Sequence, residues 1–410
     1  ATHAQHDHRL DLLCHDDETV VGAHVRRLHC EQLQIHSSFR PERLVRFCYR
    51  PFDSRWVYWE PETKLLDERR AEYVPHVFPG NLWLEARQRQ PKDAFDRGLP
   101  VRVLADNLGN GLSSFFPLFV RSGAQDGRLH ATADAFEQVP NLSNAAAEYL
   151  GGLGAGATDL PHHALAVLHS PAYRLDHGGP LRLDWPRVPL PAAADSLMSS
   201  AELGRMLVPL FDPDRSVRGV SQGAVRQELA LLAIPAADNH GGPGTMDWTV
   251  NAGWGRVGGG GACMPGPGRV VRRAYTSAER SAIEIGASGL GLSTQEALAL
   301  LGETTTDIYL NSVAAWRNVP ERVWSYTLGG YQVLKKWLSY REKAVFGREL
   351  QPKEGEHFSD TARRIAAILL LSPRLDDNYR SITRSAAPFT PADQTRCRSA
   401  SVQGETGVLL

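Results

Sequence analysis

Apolar residues recur at spacings of three and four between Trp316 and Lys343, in WRNVPERVWSYTLGGYQVLKKWLSYREK. Trp324, Leu328, Tyr331, Leu334 and Leu338 share one helical face, and Val333, Trp337 and Tyr340 form a second stripe. Pro320 suits a first helical turn, where its missing N–H costs nothing. The spacing predicts one helix, interrupted or bent at Gly329-Gly330, because glycine is about 1 kcal/mol worse than alanine inside a helix. A helix apolar on two sides packs between other elements. Lys335, Lys336, Arg341 and Lys343 crowd its last turns. Two readings stand side by side: lysines whose stems lie on the core while their heads reach solvent, or a basic edge offered to phosphates.

Elsewhere the period changes along the chain. Residues 1–43 are polar and rich in histidine, without a sustained period, and read as a disordered or truncated lead-in. From Leu44 the chain is dense in Val, Phe, Tyr and Trp. FCYRPF predicts a strand running into a turn at Pro51, and RWVYWE a second strand. Val101 to Leu104 and Phe115 to Val120 predict two more, around the turn-rich Asn107 to Gly111. Asn141 to Leu150, His162 to Leu168 and Asp195 to Phe211 read as helices, the last with Leu197, Leu203, Leu207 and Leu210 inward. Residues 216–276 are poorer in pattern, and Gly258 to Gly268 reads as a loop. Arg269, Arg272 and Arg273 follow it on a Val-rich strand, as a surface charge cluster or as phosphate contacts. Asp307 to Leu310 reads as an edge strand. Ser359 to Leu371 is a helix, capped by Ser359, with Ala362, Ile365, Ile368 and Leu369 inward. The expected class is α+β: a strand-rich unit over 44–135, a helical unit over 136–215, a loop-rich unit over 216–315, a helical unit over 316–380 and a disordered tail over 381–410.

Composition narrows the class little. The 410 residues are 42% hydrophobic and 22% charged, as in an ordinary globular protein. No apolar run approaches the roughly 20 residues of a membrane helix, and five scattered cysteines form no CxxC pair. A cytoplasmic, reduced protein is expected. The net charge of −1 gives no global support for nucleic-acid binding, so any DNA surface requires local charge separation.

Two stretches carry a resemblance. GGYQVLKKWLSYRE (Gly329 to Glu342) and YRPFDSRWVYWEP (Tyr49 to Pro61) resemble segments of type ISP restriction-modification enzymes and related large adenine-specific DNA methyltransferases. Weaker similarity lies between them, in order: NLWLEARQ at Asn81, SSFFPLFV at Ser113, HHALAVLHSPAYR at His162 and DWPRVPLP at Asp184. The resemblance covers residues 44–380 and implies the C-terminal target-recognition region of such a polypeptide. It implies a DNA-binding cleft between the strand-rich and helical units, double-stranded DNA as partner, and an upstream methyltransferase domain. The chain begins at Ala1, and a fragment of a longer protein is expected. S-adenosylmethionine, and with it ATP and Mg²⁺, would belong to the upstream domains and not to this chain.

The search for chemistry agrees with a binding role. The Asn/Asp-Pro-Pro-aromatic tetrapeptide and the glycine-rich cofactor loop of an adenine methyltransferase are absent from the sequence, as is a nucleophile elbow. His162-His163 lacks carboxylate or cysteine partners at ligand spacing. One loose nuclease-like pattern exists, Asp53 with Glu62 and Lys64, which could hold a divalent metal; Arg50, Asp53 and Arg55 read more simply as ion pairs in a turn. A non-catalytic protein-interaction scaffold is the third reading. For base and phosphate contacts, Arg87, Gln88, Arg89 and Lys92 supply suitable donors, and Asn107 and Asn110 lie on a turn-rich loop. The basic residues Arg269, Arg272, Arg273, Lys335, Lys336, Arg341 and Lys343 complete the set. Tyr49, Arg50, Pro51, Phe52, Asp53 and Arg55 form the structural motif.

Overall fold

A computed structural model describes residues 40–59, 72–90, 94–106, 112–121, 137–237, 246–259 and 263–387. Strands β1 (Leu44–Arg50) and β2 (Asp53–Tyr58) pair antiparallel around the two-residue turn Pro51-Phe52. Phe52 takes φ 63°, a left-handed conformation that costs a side-chain-bearing residue about 1 kcal/mol. Burial offsets that cost: the residue is 2% exposed, and its ring lies 5.7 Å from that of Phe211. β3 (Trp83–Ala86) runs between β4 (Pro100–Val101) and β5 (Ser114–Pro117). The run Phe115 to Val120, expected as one strand, is two. At Leu118 the backbone turns to bond Leu82 and Asn141, and β6 (Phe119–Arg121) then pairs with β7 (Gln138–Pro140).

The helical stretch follows. Ser143 caps α1 (Asn144–Leu153), which runs through two glycines of the expected stop and ends at Gly154, φ 63°. Then come α2 (Asp159–Leu168), α3 (Pro171–Asp176) and α4 (Ala194–Phe211). Helices α2 and α4 touch backbone to backbone at Gly204, where a Cβ would overlap the carbonyl of His162.

Next are α5 (Gln227–Ala230), β8 (Ile234–Ala237), the hairpin of β9 (Gly255–Val257) and β10 (Cys263–Pro265), and β11 (Arg269–Arg273). Reciprocal capping boxes, Thr276 with Glu279 and Ser293 with Glu296, start α6 (Ser277–Gly289) and α7 (Thr294–Leu301). β12 (Thr305–Tyr309) and β13 (Ala314–Pro320) complete an antiparallel sheet of order β11-β12-β13-β8. Asp307 to Leu310 was expected at an edge. Asp307, Ile308 and Tyr309 instead lie on a buried inner strand, and β11 and β8 are the edges.

The largest departure is the stretch from Trp316 to Lys343. A single helix is not formed: the chain leaves β13, makes one turn in α8 (Glu321–Trp324), and then folds a hairpin of β14 (Thr327–Leu328) and β15 (Tyr331–Gln332). Gly329 and Gly330 form its turn at φ 68° and 86°. Two successive positive φ values favour a tight hairpin over a helix, and only glycine adopts both without cost. Helix α9 (Val333–Ser339) and a turn, α10 (Lys343–Phe346), follow. α11 (Pro352–Leu370) starts seven residues earlier than expected, capped by Gln351 and Glu354; Ser359 lies inside it and donates to the carbonyl of Ala233. α12 (Ser372–Arg384) ends the described chain's helices.

Trp316, fully buried, stacks on Phe358 of α11 with ring centroids 4.0 Å apart. The largest apolar cluster runs from Cys48 through Leu207, Ile308 and Trp316 to Leu375, so the four segments between 44 and 380 share one core.

Candidate nucleic-acid interface

The two motifs, distant in sequence, meet. Asp53 at the start of β2 is 4% exposed. Arg341 donates to both of its oxygens, Nη2 to Oδ1 at 2.8 Å and Nη1 to Oδ2 at 3.0 Å, and Arg55 Nη2 donates to Oδ2 at 3.0 Å. Burial alone would raise the Asp53 pKa; Arg341 and Arg55 overcome this and hold the carboxyl well below the usual range. Arg50 donates from Nε to the hydroxyl of Tyr340 at 3.1 Å and from Nη1 to Asp106 at 3.2 Å. The guanidinium of Arg55 lies 4.0 Å from the ring of Tyr49, and the ammonium of Lys336 4.6 Å from that of Tyr340. Arg341 stacks on Trp337 at 4.3 Å. Thus the Tyr49–Arg55 motif and the Tyr331–Arg341 stretch form one ion-pair and cation–π cluster. Arg341 and Lys336 serve there, and Lys343 pairs with Glu349 at 3.2 Å. Lys335 is half-buried.

The glycine turn has a partner of its own. Asp96 accepts the N–H of Gly329 on its carbonyl at 3.0 Å and that of Gly330 on Oδ2 at 2.9 Å. Asp96 Oδ1 also accepts from Gln90 Nε2 at 3.1 Å, and Gln90 Oε1 accepts from Arg97 Nε at 2.9 Å. The segment Arg87 to Gln90 is therefore divided. Gln90 is buried in this network, Arg87 is half-buried, and Gln88 and Arg89 are exposed. Lys92, Asn107 and Asn110 lie outside the described residues.

The three arginines of β11 differ sharply. Arg272 pairs with Glu321. Arg273 donates to both oxygens of Glu279 at 2.7 Å and from Nε to Asp307 Oδ2 at 3.1 Å. Arg317 of β13 reaches Asp307 at 2.8 Å and the hydroxyl of Tyr309 at 3.2 Å. Arg269 instead lies over the Tyr309 ring at 4.0 Å. Sequence spacing could not separate these roles, because the acids involved come from α6, β12 and α8.

As for catalysis, Asp53 has both oxygens occupied by arginines, and Glu62 and Lys64 lie outside the described residues. Among the described residues no group of three His, Cys, Asp or Glu side chains is placed to hold a metal. His163 is a buried core histidine, with Nδ1 2.7 Å from Ser200 Oγ and Nε2 2.9 Å from the carbonyl of Pro189.

Residues 15–257 and 264–365 match the family model described as "Type ISP C-terminal specificity domain". Among solved structures, the chain is similar to a DrdV–DNA complex seen by cryo-electron microscopy, at TM-score 0.51 and 17% identity, over 85% of this chain and 29% of that one. It is similar as well to the ATP-dependent Type ISP restriction-modification enzyme LlaBIII bound to DNA, at TM-score 0.50 and 13% identity, over 92% of this chain and 21% of that one. The chain thus spans less than a third of the length of either protein. No curated protein matches it.

Proposed function

This chain belongs to the Type ISP C-terminal specificity domain family, and from that premise we propose that it selects the DNA sequence on which a larger polypeptide acts. The observation that carries the proposal is the extent of the family match, 15–257 and 264–365 of 410 residues. Its partner is duplex DNA, gripped by phosphate contacts and read at base edges. The exposed Gln88 and Arg89 and the start of strand β11, at Arg269, are the surfaces that suit this work among the residues singled out from sequence. The buried cluster of Asp53, Arg341 and their neighbours supports the scaffold and makes no DNA contact of its own.

The parent polypeptide would add an upstream adenine methyltransferase domain, which flips its target base. S-adenosylmethionine, ATP and Mg²⁺ serve those other domains, and the setting is the cytoplasm. No described helix is long and apolar enough to cross a membrane. The nuclease reading is disfavoured by the two arginines that close off Asp53.

Selection from a pool of randomised duplexes at low and moderate salt tests the function. One short enriched site, with affinity falling as salt rises, is expected. A folded chain that retains no duplex at low salt would overturn it.

A further inference from the structure

We propose that Arg269 is where β11 grips the DNA backbone, its guanidinium held in place for a phosphodiester by the ring of Tyr309. The inference rests on the DNA reading above and adds to it a named contact.

Local charge is the first ground. From Trp248 to Ala278 the sequence holds Arg256, Arg269, Arg272 and Arg273 and neither Asp, Glu nor Lys. A chain of net charge −1 therefore carries a stretch of formal charge +4, two of whose arginines, Arg272 and Arg273, meet acids from outside it. Placement is the second. β11 is one of the two edges of its sheet, and Arg269 to Arg272 are exposed on it. The backbone just before Arg269 is pinned, since Gly268 donates to the carbonyl of Gly253 at 3.1 Å.

The third ground is the contrast among the arginines. Arg272 is neutralised by Glu321, and Arg273 by Glu279 and Asp307. Arg269 has no carboxylate partner among the described residues, and it stacks at 4.0 Å on Tyr309. Stacking fixes the plane of a guanidinium while leaving its in-plane N–H donors pointing outward. Two parallel donors of that kind match two oxygens of a phosphodiester. Tyr309 is itself held, with its hydroxyl bonded to Arg317 and the residue 7% exposed. Little side-chain entropy is then left to lose when the phosphate arrives. The neighbouring Val270 and Val271 are 37% and 41% exposed and add no charged side chain beside it.

The test compares the unsubstituted chain with Arg269→Ala and Arg272→Ala, all confirmed folded by thermal melting, in duplex binding across a salt series. For Arg269→Ala, affinity at low salt falls by about tenfold. The slope of log affinity against log salt becomes shallower by about one, equally for every sequence in the pool. Arg272→Ala leaves both close to those of the unsubstituted chain. Unchanged affinity and slope in Arg269→Ala, with the unsubstituted chain binding, would overturn the proposal and leave the DNA reading standing. A loss confined to duplexes with one particular base pair would overturn it too, since that marks base reading. If the folded, unsubstituted chain binds no duplex, the DNA reading falls and this contact with it.

Discussion

Arg341 holds both carboxylate oxygens of Asp53, at 2.8 and 3.0 Å, across 288 residues of sequence. The pair is nearly sealed, with side chains 12% and 4% exposed. Breaking a buried pair from one side leaves the other charge without compensation. Arg341→Ala is expected to cost about 3 kcal/mol, since Arg55 remains as a single partner. Arg341→Lys recovers only part of this, because an ammonium cannot bond both oxygens in a fork. Urea unfolding of the three proteins reads the difference; equal midpoints would show that the pair contributes nothing.

Stability should fall as pH drops from about 7, in two windows. Burial, as the largest cause, lowers the pKa of His163 from 6.5 to about 4 and that of His169 to about 3. Between 6.5 and those values the unfolded chain takes up protons that the folded chain refuses. Each histidine then removes about 1.4 kcal/mol of stability per pH unit. Asp53 acts in the same sense at lower pH: its folded pKa is depressed, so its contribution is complete above the free value of 3.8 and is lost below it. Denaturant midpoints at pH 7, 6 and 5 check the first window, and His163→Gln should flatten the slope. A midpoint constant over that range would refute the assignment.

Glycine-to-alanine substitution should change sign with position. At Gly204 the new Cβ meets the His162 carbonyl, and α2 and α4 must separate, at a cost of about 3 kcal/mol. At Gly152, inside α1, nothing lies within 4 Å, and alanine should stabilise by about 0.5–1 kcal/mol. Thermal melting of both variants decides the matter; a stabilised Gly204→Ala would mean the helices do not touch there.

Gly330 lies between these cases. Its φ is 86°, and a Cβ would stand 3.3 Å from Nη2 of the buried Arg97. Gly330→Ala should cost about 1–2 kcal/mol through backbone strain. Hydrogen exchange at the amides of positions 329 and 330 should accelerate as their bonds to Asp96 loosen. Unchanged exchange would show that the turn does not depend on glycine.

The sequence was most readable where periodicity and burial agree. α4 came within a residue of its expected start, with Leu197, Leu207 and Leu210 buried. The Pro51 turn and its flanking strands were equally plain, because β-branched and aromatic runs bounded by proline leave few alternatives. The Trp316 to Lys343 stretch misled because Trp324, Leu328, Tyr331 and Leu334 fit a helical period by spacing alone. The deciding term was the glycine pair together with Asp96, 233 residues before Gly329. α6 was missed although Thr276 and Glu279 stand at capping-box spacing, so that signal was present and unused. Of the candidate site, Arg341 reads as a phosphate contact by sequence alone, and in the fold it donates to Asp53. Charge partners that lie far along the chain decide which arginines remain open, and no local pattern carries that information.

Because Arg341 follows Asp53 by 288 residues, the order of synthesis matters. Ribosomes deliver the β1–β2 hairpin well before that arginine, with a carboxylate in place and its main cation still 288 residues away. Until α9 and the segment after it emerge, that corner of the core cannot close. Exchange of recognition regions between relatives meets the same requirement.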